Sequence, residues 1–167
     1  SDAADNVSQV VGGKLHWRAA RDLDLSLGLG ETADMAEDFL RGAAVDHFDT
    51  HRALGTLQAD LGIGEGLYSA GFDWQRDKVA SSSDFAVDRR IDRGLFAQWQ
   101  QRFGTQSLQA SVRRDEDSQF GGKNTGSLLW GWDIARALRL TASYGSAFRA
   151  PSFNELYYPY YGNPRLK

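Results

Sequence analysis

The feature that most constrains this chain is an alternation of apolar and polar residues that recurs along most of its 167 residues. Side chains of a β-strand point to opposite faces in turn, so the alternation predicts strands with one apolar and one polar face. In one segment, apolar Tyr68, Ala70, Phe72 and Trp74 alternate with Ser69, Gly71, Asp73 and Gln75. The pattern predicts eight strands, at residues 8–19, 22–31, 48–62, 66–79, 90–103, 106–117, 124–135 and 137–148.

The predicted strands are long, and their links differ in length. Strands of about ten or more residues can cross a bilayer at a tilt of about 45°, whereas strands of globular proteins average about five or six residues. The predicted links form two alternating sets, short ones at 19–22, 62–66, 103–105 and 135–137, and long polar ones at 32–47, 76–90 and 114–124. Outer-membrane barrels have short periplasmic turns and longer extracellular loops. The sequence therefore predicts an all-β fold, an antiparallel transmembrane β-barrel in a bacterial outer membrane.

The composition agrees with a chain that has two different faces. It includes 5 Trp, 6 Tyr and 9 Phe, although the mean hydropathy of the chain is only -0.48. A water-soluble barrel with an apolar interior would show the same alternation, so the pattern alone leaves both arrangements open, while strand and link lengths favour the membrane. Rings are expected at the membrane interfaces, and the candidates are Trp17, Trp74, Trp99, Trp130, Trp132 and Tyr144.

Several functional classes find no support in the sequence. The chain has no cysteine, which excludes disulfides, zinc thiolate sites and cysteine nucleophiles. Its net charge of -3 gives no indication of nucleic-acid binding. No run of about 18 apolar residues predicts a transmembrane helix, and no Ser-His-Asp set or phosphate-binding loop is present. We therefore expect neither an enzyme nor a cofactor.

Two groups of potential metal ligands are weak candidates. His47 and His51 on a strand would point to the same side, about 13 Å apart at about 3.3 Å per residue. The carboxylates of residues 115–117 are hard oxygen ligands of the kind that calcium prefers, but they lack the spacing and glycine pattern of a calcium loop. We therefore predict no metal site and a solvated loop at 115–117.

Two further expectations concern local structure and the limits of the chain. The spacing of Met35, Phe39 and Leu40 allows a helical turn within residues 31–44, and an irregular loop is the alternative. The sequence begins without Met or a signal peptide and stops within a polar loop. It is therefore expected to be an internal piece of a longer protein.

The stretch from residue 142 to residue 167 is the most informative part of the sequence. A strand ends there, because Pro151 cannot donate to a further ladder. The loop that follows includes Tyr157, Tyr158, Tyr160 and Tyr161. Restricted, exposed tyrosines offer contact area at a small entropic cost. They are expected either to contact a ligand or to pack within the barrel wall and its loops.

This stretch resembles the TonB-dependent outer-membrane receptors. The similar segments are YGSAFRAP at 144–151, NELY at 154–157 and GNPRLK at 162–167. FDTHR at 48–52 and FAQW at 96–99 are also similar, and together the segments look most like the cobalamin-transporter branch of that family. The resemblance covers most of the chain and is most specific after residue 140.

The resemblance implies a barrel of about 22 strands with a plugged lumen. Residues 1–167 would be a central part of that barrel domain, without the plug domain and the C-terminal strands. Unpaired strand edges are costly in lipid, so eight strands would close on themselves, pair with another copy or belong to a larger barrel. The last possibility is the one that the family implies.

The implied function is the import of cobalamin, energised through the partner protein TonB in the full-length parent, with a ferric siderophore as the alternative nutrient. A self-contained small structural barrel and a soluble ligand-binding barrel are the further alternatives. The implied partners are this nutrient and the lipid bilayer, and no nucleic acid. The expected ligand contacts are Arg149, Asn154, Tyr157, Tyr158, Tyr160, Tyr161 and Asn163.

Overall fold

The chain forms one antiparallel sheet of eight strands, in which each strand pairs with its neighbours in sequence. The computed structural model describes residues 2–81, 88–149, 151, 155–156 and 163. The strands are β1 (Ala3–Ala20), β2 (Leu23–Leu40), β3 (Ala43–Ile63), β4 (Gly66–Ser81), β5 (Arg89–Phe103), β6 (Gln106–Asp117), β7 (Gly121–Ala135) and β8 (Leu138–Gly145). The predicted all-β antiparallel fold and its eight strands are confirmed.

The first predicted long link is wrong. Between residues 32 and 47 the chain continues as β2 and β3, joined by a tight turn in which Arg41 and Gly42 have positive φ angles of 54° and 78°. The helical turn around Met35 and the irregular loop are both wrong, because Met35 pairs with Val7 of β1 on one side and Asp49 of β3 on the other. Ladders on both sides satisfy the backbone groups that a helix would otherwise pair internally.

The predicted link at 114–124 is also wrong. β6 runs to Asp117, and a turn of three residues leads into β7. The Asp117 carboxylate accepts hydrogen bonds from the backbone N–H groups of Gln119 at 2.6 Å and Phe120 at 3.0 Å, which closes the turn. Residues 115–117 are therefore strand residues and not a solvated loop. At the third predicted link, 76–90, β4 extends to Ser81 and β5 begins at Arg89, while residues 82–87 lie outside the described part.

The two faces of the sheet differ in the way that the sequence predicts. The register aligns Leu57, Phe72 and Leu95 on one face of β3, β4 and β5. We call this the outer face, and the opposite one, which includes Asp77 and Arg90, the inner face. Leu57 is 54% and Leu95 61% exposed, whereas Asp77 is 6% and Arg90 8% exposed. Charged residues are rarely buried and large apolar ones rarely exposed in water-soluble proteins, so this distribution argues against a soluble barrel and favours contact with lipid.

The outer apolar side chains form a band that ends at a defined height. On β3 the band covers residues 53–63, which at about 3.3 Å per residue and a tilt of about 45° correspond to about 25 Å, the height of the apolar band of membrane barrels. Beyond the band, towards the turns at 41–42 and 118–120, the outer face carries charged residues. Arg76 is the next outer residue after Trp74 on β4, and Arg93 is the next one after Leu95 on β5 in that direction. The rings of the predicted interfacial set all lie on the outer face, at Trp17, Trp74, Trp99, Trp130, Trp132 and Tyr144.

The sheet is open. β1 and β8 lie at its two ends, and no ladder joins them among the residues that the structure describes. Exposed sheet edges do not occur in the hydrocarbon region of a membrane, because their backbone groups find no partners there. The eight strands as described are not closed into a barrel, and the arrangement agrees with a part of a larger barrel wall. The described residues include no helix long and apolar enough to span a membrane.

Gly71 on β4 lets the Phe96 ring and the Leu57 backbone oxygen approach the strand closely on the inner face. A methyl group added there would meet the Phe96 ring, and it would lie 2.6 Å from the backbone oxygen of Leu57. A contact this short requires the neighbours to move, and one of the two is backbone. At Gly28, also on the inner face, the nearest atom would be Cβ of Thr56 at 3.9 Å.

We therefore expect Gly71→Ala to lower the free energy of unfolding by about 1–3 kcal/mol, because overpacking of a filled site has this cost. Gly28→Ala is the matched control, with an expected change within about 0.5 kcal/mol. Urea unfolding of the full-length protein from phospholipid vesicles, followed by tryptophan fluorescence, measures both. Equal effects of the two substitutions would contradict the packing described here.

Candidate functional site

A row of polar side chains on the inner face of β4 provides the centre of the candidate site. Asp73, Gln75 and Asp77 share this face because they are alternate residues of one strand. The Asp77 carboxylate accepts hydrogen bonds from the Arg52 guanidinium at 2.8 Å, from the Gln75 amide at 3.0 Å and from the Arg90 guanidinium at 3.3 Å. Asp77 is therefore a buried anion with two cationic partners.

Arg90 links several parts of the fold. Besides Asp77 on β4, its guanidinium lies 3.7 Å from the Asp117 carboxylate on β6 and donates a hydrogen bond to the backbone oxygen of Pro151 at 2.8 Å. Arg90, Asp77 and Asp117 are all buried. Because burying a charge is costly unless it is paired, these contacts hold β4, β5, β6 and the segment after β8 in one arrangement.

Arg113 forms a second set of contacts nearer the middle of the inner face. Its guanidinium donates to Asp73 on β4 at 2.6 Å and to Asp115 on its own strand at 2.8 Å. It also lies 5.9 Å from the centre of the Phe96 ring, within cation–π range. We refer to both sets together as the inner-face ion network, which consists of Arg52, Asp73, Asp77, Arg90, Arg113, Asp115 and Asp117.

Asp92 lies beside this network and beyond Leu95, on the loop side of the apolar band and outside it. Burial, a hydrogen bond with Asp117 and the negative charge of Asp117 together raise the pKa of Asp92 to about 6. The positive charge of Arg90 opposes this rise in the pKa of Asp92. Three carboxylates, those of Asp77, Asp92 and Asp117, surround the Arg90 guanidinium. A raised pKa means that protonation of Asp92 favours the folded state, so its contribution to stability is present at acid pH and is lost as the pH rises through about 6.

A cavity of about 540 Å³ opens between the network and the residues that follow β8. The Arg113 guanidinium, several carboxylates and amide or hydroxyl groups line it together with apolar side chains, so it can bind a polar ligand or a polar chain segment through hydrogen bonds. The lining includes Thr56, Gln75, Asp92, Arg113, Ser146 and Phe148. Among the described residues, no group of three or more His, Asp or Glu side chains could hold a metal ion.

The histidines considered as metal ligands lie on the outer face, and the carboxylates considered as metal ligands pair with arginines. His47 and His51 lie on the same face of β3, as expected for a strand, and that face is the outer one. Asp115 and Asp117 face the inner side and contact Arg113 and Arg90, whereas Glu116 faces outward and pairs with Arg114 at 3.0 Å. The three carboxylates of residues 115–117 therefore do not point to one place.

Only two of the predicted ligand contacts lie within the described residues. Arg149 is exposed, and its guanidinium donates to both oxygens of Glu155 at 2.9 and 3.0 Å. The backbone N–H of Asn163 donates to the backbone oxygen of Glu155 at 2.9 Å. The other predicted contacts, namely Asn154, Tyr157, Tyr158, Tyr160 and Tyr161, lie outside the described residues.

The segment after β8 is attached to the inner face at several points. Leu156 is only 2% exposed, and Pro151 accepts the hydrogen bond from Arg90. The Lys123 ammonium lies 5.1 Å from the centre of the Phe148 ring. The segment that the sequence predicts to contact a ligand therefore lies next to the inner-face ion network.

Sequence reasoning missed the ion network, because its members lie on four strands and only the register brings them together. A signal was nevertheless present. Asp73, Gln75 and Asp77 alternate within the predicted strand 66–79, which places Asp73 and Asp77 on one polar face.

The comparisons with known proteins agree with this architecture. A family model described as TonB dependent receptor-like, beta-barrel, matches residues 5–167. The chain is 29% identical over 147 residues to the vitamin B12 transporter BtuB of Photobacterium profundum, a match that covers 87% of this chain and 24% of that protein. The chain thus spans about a quarter of the length of this curated relative.

Solved structures show the same fold. The copper transporter OprC superposes with a TM-score of 0.71 at 14% sequence identity, over 91% of this chain and 32% of that one. The siderophore receptor PirA from Pseudomonas aeruginosa superposes with a TM-score of 0.62 at 17% identity, over 96% of this chain and 40% of that one. At these identities the likeness concerns the fold alone.

The inner-face ion network leads to a stability prediction. Asp77→Ala removes the carboxylate shared by Arg52 and Arg90, and breaking a buried ion pair from one side costs about 3–5 kcal/mol. Glu116→Ala removes the partner of Arg114 on the exposed outer face, where an ion pair contributes about 0–1 kcal/mol. Urea unfolding of the full-length protein from vesicles should therefore show a much larger loss of stability for Asp77→Ala. Similar losses in the two variants would mean that the network does not stabilise the fold.

Proposed function

This chain belongs to the TonB-dependent receptor family, and on that premise we propose that it forms part of the barrel wall of a bacterial outer-membrane receptor that imports a small polar nutrient. The observation that supports this most directly is the arrangement of the two faces. Apolar side chains such as Leu57 and Leu95 are exposed on the outer face, and charged ones such as Asp77 and Arg90 are buried on the inner face. A wall between lipid and an aqueous lumen requires this arrangement.

The ligand that we propose is cobalamin. The relative at 29% identity is a vitamin B12 transporter, and the segments FDTHR at 48–52 and YGSAFRAP at 144–151 resemble that branch of the family. The segment after β8 lies beside a polar cavity, so a large polar ligand can contact both. The proposed contacts are Arg149, Asn154, Tyr157, Tyr158, Tyr160, Tyr161 and Asn163.

We propose that the full-length protein obtains energy for transport through TonB, the partner after which the family is named. The strands described here supply a lumen wall and a binding surface. Within them, ionic contacts such as Arg113–Asp73 and Arg90–Asp77 join neighbouring and next-nearest strands. These contacts stiffen the wall, so that a bound nutrient meets a fixed surface on its way through the lumen.

The ligand assignment predicts a result for the full-length parent. It should bind cyanocobalamin at micromolar concentration or below in a fluorescence titration. The double variant Tyr157→Ala, Tyr158→Ala should bind roughly tenfold or more weakly, since truncating an interfacial tyrosine that contacts the ligand often costs more than about 1 kcal/mol. Tyr144→Leu, which alters an exposed ring on the outer face, is the matched control and should leave the affinity unchanged.

Two results would contradict different parts of the proposal. Tight binding of a ferric siderophore without binding of cyanocobalamin would overturn the cobalamin assignment and leave the receptor assignment intact. If the full-length protein stayed monomeric in water without detergent, the lipid-facing wall itself would be wrong.

A further inference from the structure

Three carboxyl groups surround one buried guanidinium on the inner face, beyond the height of the apolar band. We call this group the Arg90 cluster, and it consists of Asp77 on β4, Arg90 and Asp92 on β5, and Asp117 on β6. The ladder brings the side chains together, since Arg90 lies opposite Asp77 and Asp92 lies opposite Asp117. Asp77 and Asp117 are each 6% exposed and Arg90 is 8% exposed. The cluster is therefore a place where an additional charge is costly.

The cations around the cluster balance two carboxylates and not three. Arg52 and Arg90 pair with Asp77, and Arg90 also lies 3.7 Å from Asp117, whereas Asp92 forms no salt bridge within the described residues. The charged side chains that face Asp92 are Arg52 on β3, Asp73 and Asp77 on β4, Arg90 on β5, Arg113, Asp115 and Asp117 on β6, and Lys123 on β7. Of the further cations, Arg113 pairs with Asp73 and Asp115, and Lys123 contacts the Phe148 ring.

A proton shared between Asp92 and Asp117 resolves this imbalance. Oδ1 of Asp117 accepts hydrogen bonds from the backbone N–H groups of Gln119 and Phe120, but its buried Oδ2 accepts none from an N–H group of the described residues. Nε of Arg90, at 3.7 Å from that oxygen, is beyond hydrogen-bond length. Two ionised carboxylates have no donor between them, so the hydrogen bond between Asp92 and Asp117 requires a proton. Its pKa of about 6 lets Asp92 gain or lose this proton near neutral pH.

Loss of the proton changes the competition for the Arg90 guanidinium. Nη1 of Arg90 donates to the neutral backbone oxygen of Pro151 at 2.8 Å, which attaches the segment after β8 to the wall. Asp92 is two residues from Arg90 on the same face of β5, so its carboxylate can reach the same guanidinium. A hydrogen bond to an ionised acceptor is about twice as strong as one to a neutral acceptor. An ionised Asp92 therefore competes with Pro151 for Arg90.

We propose that the Arg90 cluster is a proton-operated switch that positions the segment after β8. While Asp92 and Asp117 share a proton, Arg90 binds Pro151, and when the proton leaves, Arg90 turns to the carboxylates and releases the segment. The inference rests on the proposed function, in which this segment supplies the nutrient contacts. Arg90 and Asp92 are then positioning residues for these contacts.

The direction of the pH dependence follows from the raised pKa of Asp92 in the attached arrangement. The attached segment is favoured at acid pH, and the preference is lost as the pH rises through about 6. If release lowers the pKa of Asp92 by about one unit, the ratio of attached to released segment changes by about tenfold.

The first measurement follows the segment without any ligand. A spin label on Asn163→Cys in the full-length protein, in phospholipid vesicles, reports on the segment because residue 163 is exposed and its backbone N–H contacts Glu155. The electron paramagnetic resonance spectrum should show a mobile component that grows between pH 5 and pH 8 with a midpoint near 6. Asp92→Asn has an uncharged amide that can donate to Asp117 at every pH, so the label should stay immobilised throughout this range.

The matched control is Asp22→Asn, which removes an exposed carboxylate from the turn between β1 and β2, at the opposite end of the strands. It should keep the pH response of the protein with an intact Arg90 cluster. A label mobility that does not change with pH would overturn the proposal. The same pH response in Asp92→Asn as in Asp22→Asn would also overturn it, because another group would then be responsible.

The second measurement connects the switch to the ligand. In the full-length protein without the label, the Kd for cyanocobalamin should rise about tenfold between pH 5 and pH 8, and it should stay constant in Asp92→Asn. A Kd that is independent of pH while the label is released would overturn the link between the switch and the ligand. An absence of cyanocobalamin binding at every pH would overturn the proposed ligand, whereas the label alone decides whether the switch exists.

Discussion

The antiparallel ladder is the constraint on which the rest of the structure depends. In lipid, each backbone N–H and C=O group must find a partner within the protein, and here every strand from β2 to β7 is paired on both sides. Once the ladder is in place, alternate residues must point to opposite faces. An apolar outer band and a polar inner face then follow from the alternation in the sequence, and the unpaired edges of β1 and β8 agree with a place in a larger wall.

The inner-face ion network is a consequence of the same geometry. The ladder places Asp73 and Asp77 on one face of β4, and the neighbouring strands place guanidinium groups beside them, from Arg52, Arg90 and Arg113. These charges are mutually paired, and Asp77 and Arg90 are also buried, whereas Arg52, Asp73 and Arg113 remain partly exposed on the inner face. Arg90 extends the network to Pro151, so the segment after β8, where the resemblance to the family is most specific, is attached to the wall by a polar contact.

The sequence predicted the strands where the two faces differ and failed where they do not. Along β2 beyond Leu29, the outer face includes Glu31 and Glu37, so the alternation disappears although the strand continues. The hydrogen bonds that extend it come from β1 and β3, and no single segment reveals them. The ion network was missed for a related reason, since Arg113 and Asp73 are 40 residues apart and only the register brings them together. The ligand contacts after β8 were proposed from resemblance, and most of them lie outside the described residues.

The central claim is that the outer face contacts lipid and the inner face contacts water. The chain itself has no cysteine. In the full-length protein, with any cysteine outside this chain replaced, single cysteines at positions 68, 70 and 72–75 of β4 can be spin-labelled one at a time in phospholipid vesicles. Collision with oxygen, which concentrates in lipid, should be frequent at positions 68, 70, 72 and 74. Collision with a water-soluble nickel chelate should be frequent at positions 73 and 75. The opposite alternation, or none, would contradict the account.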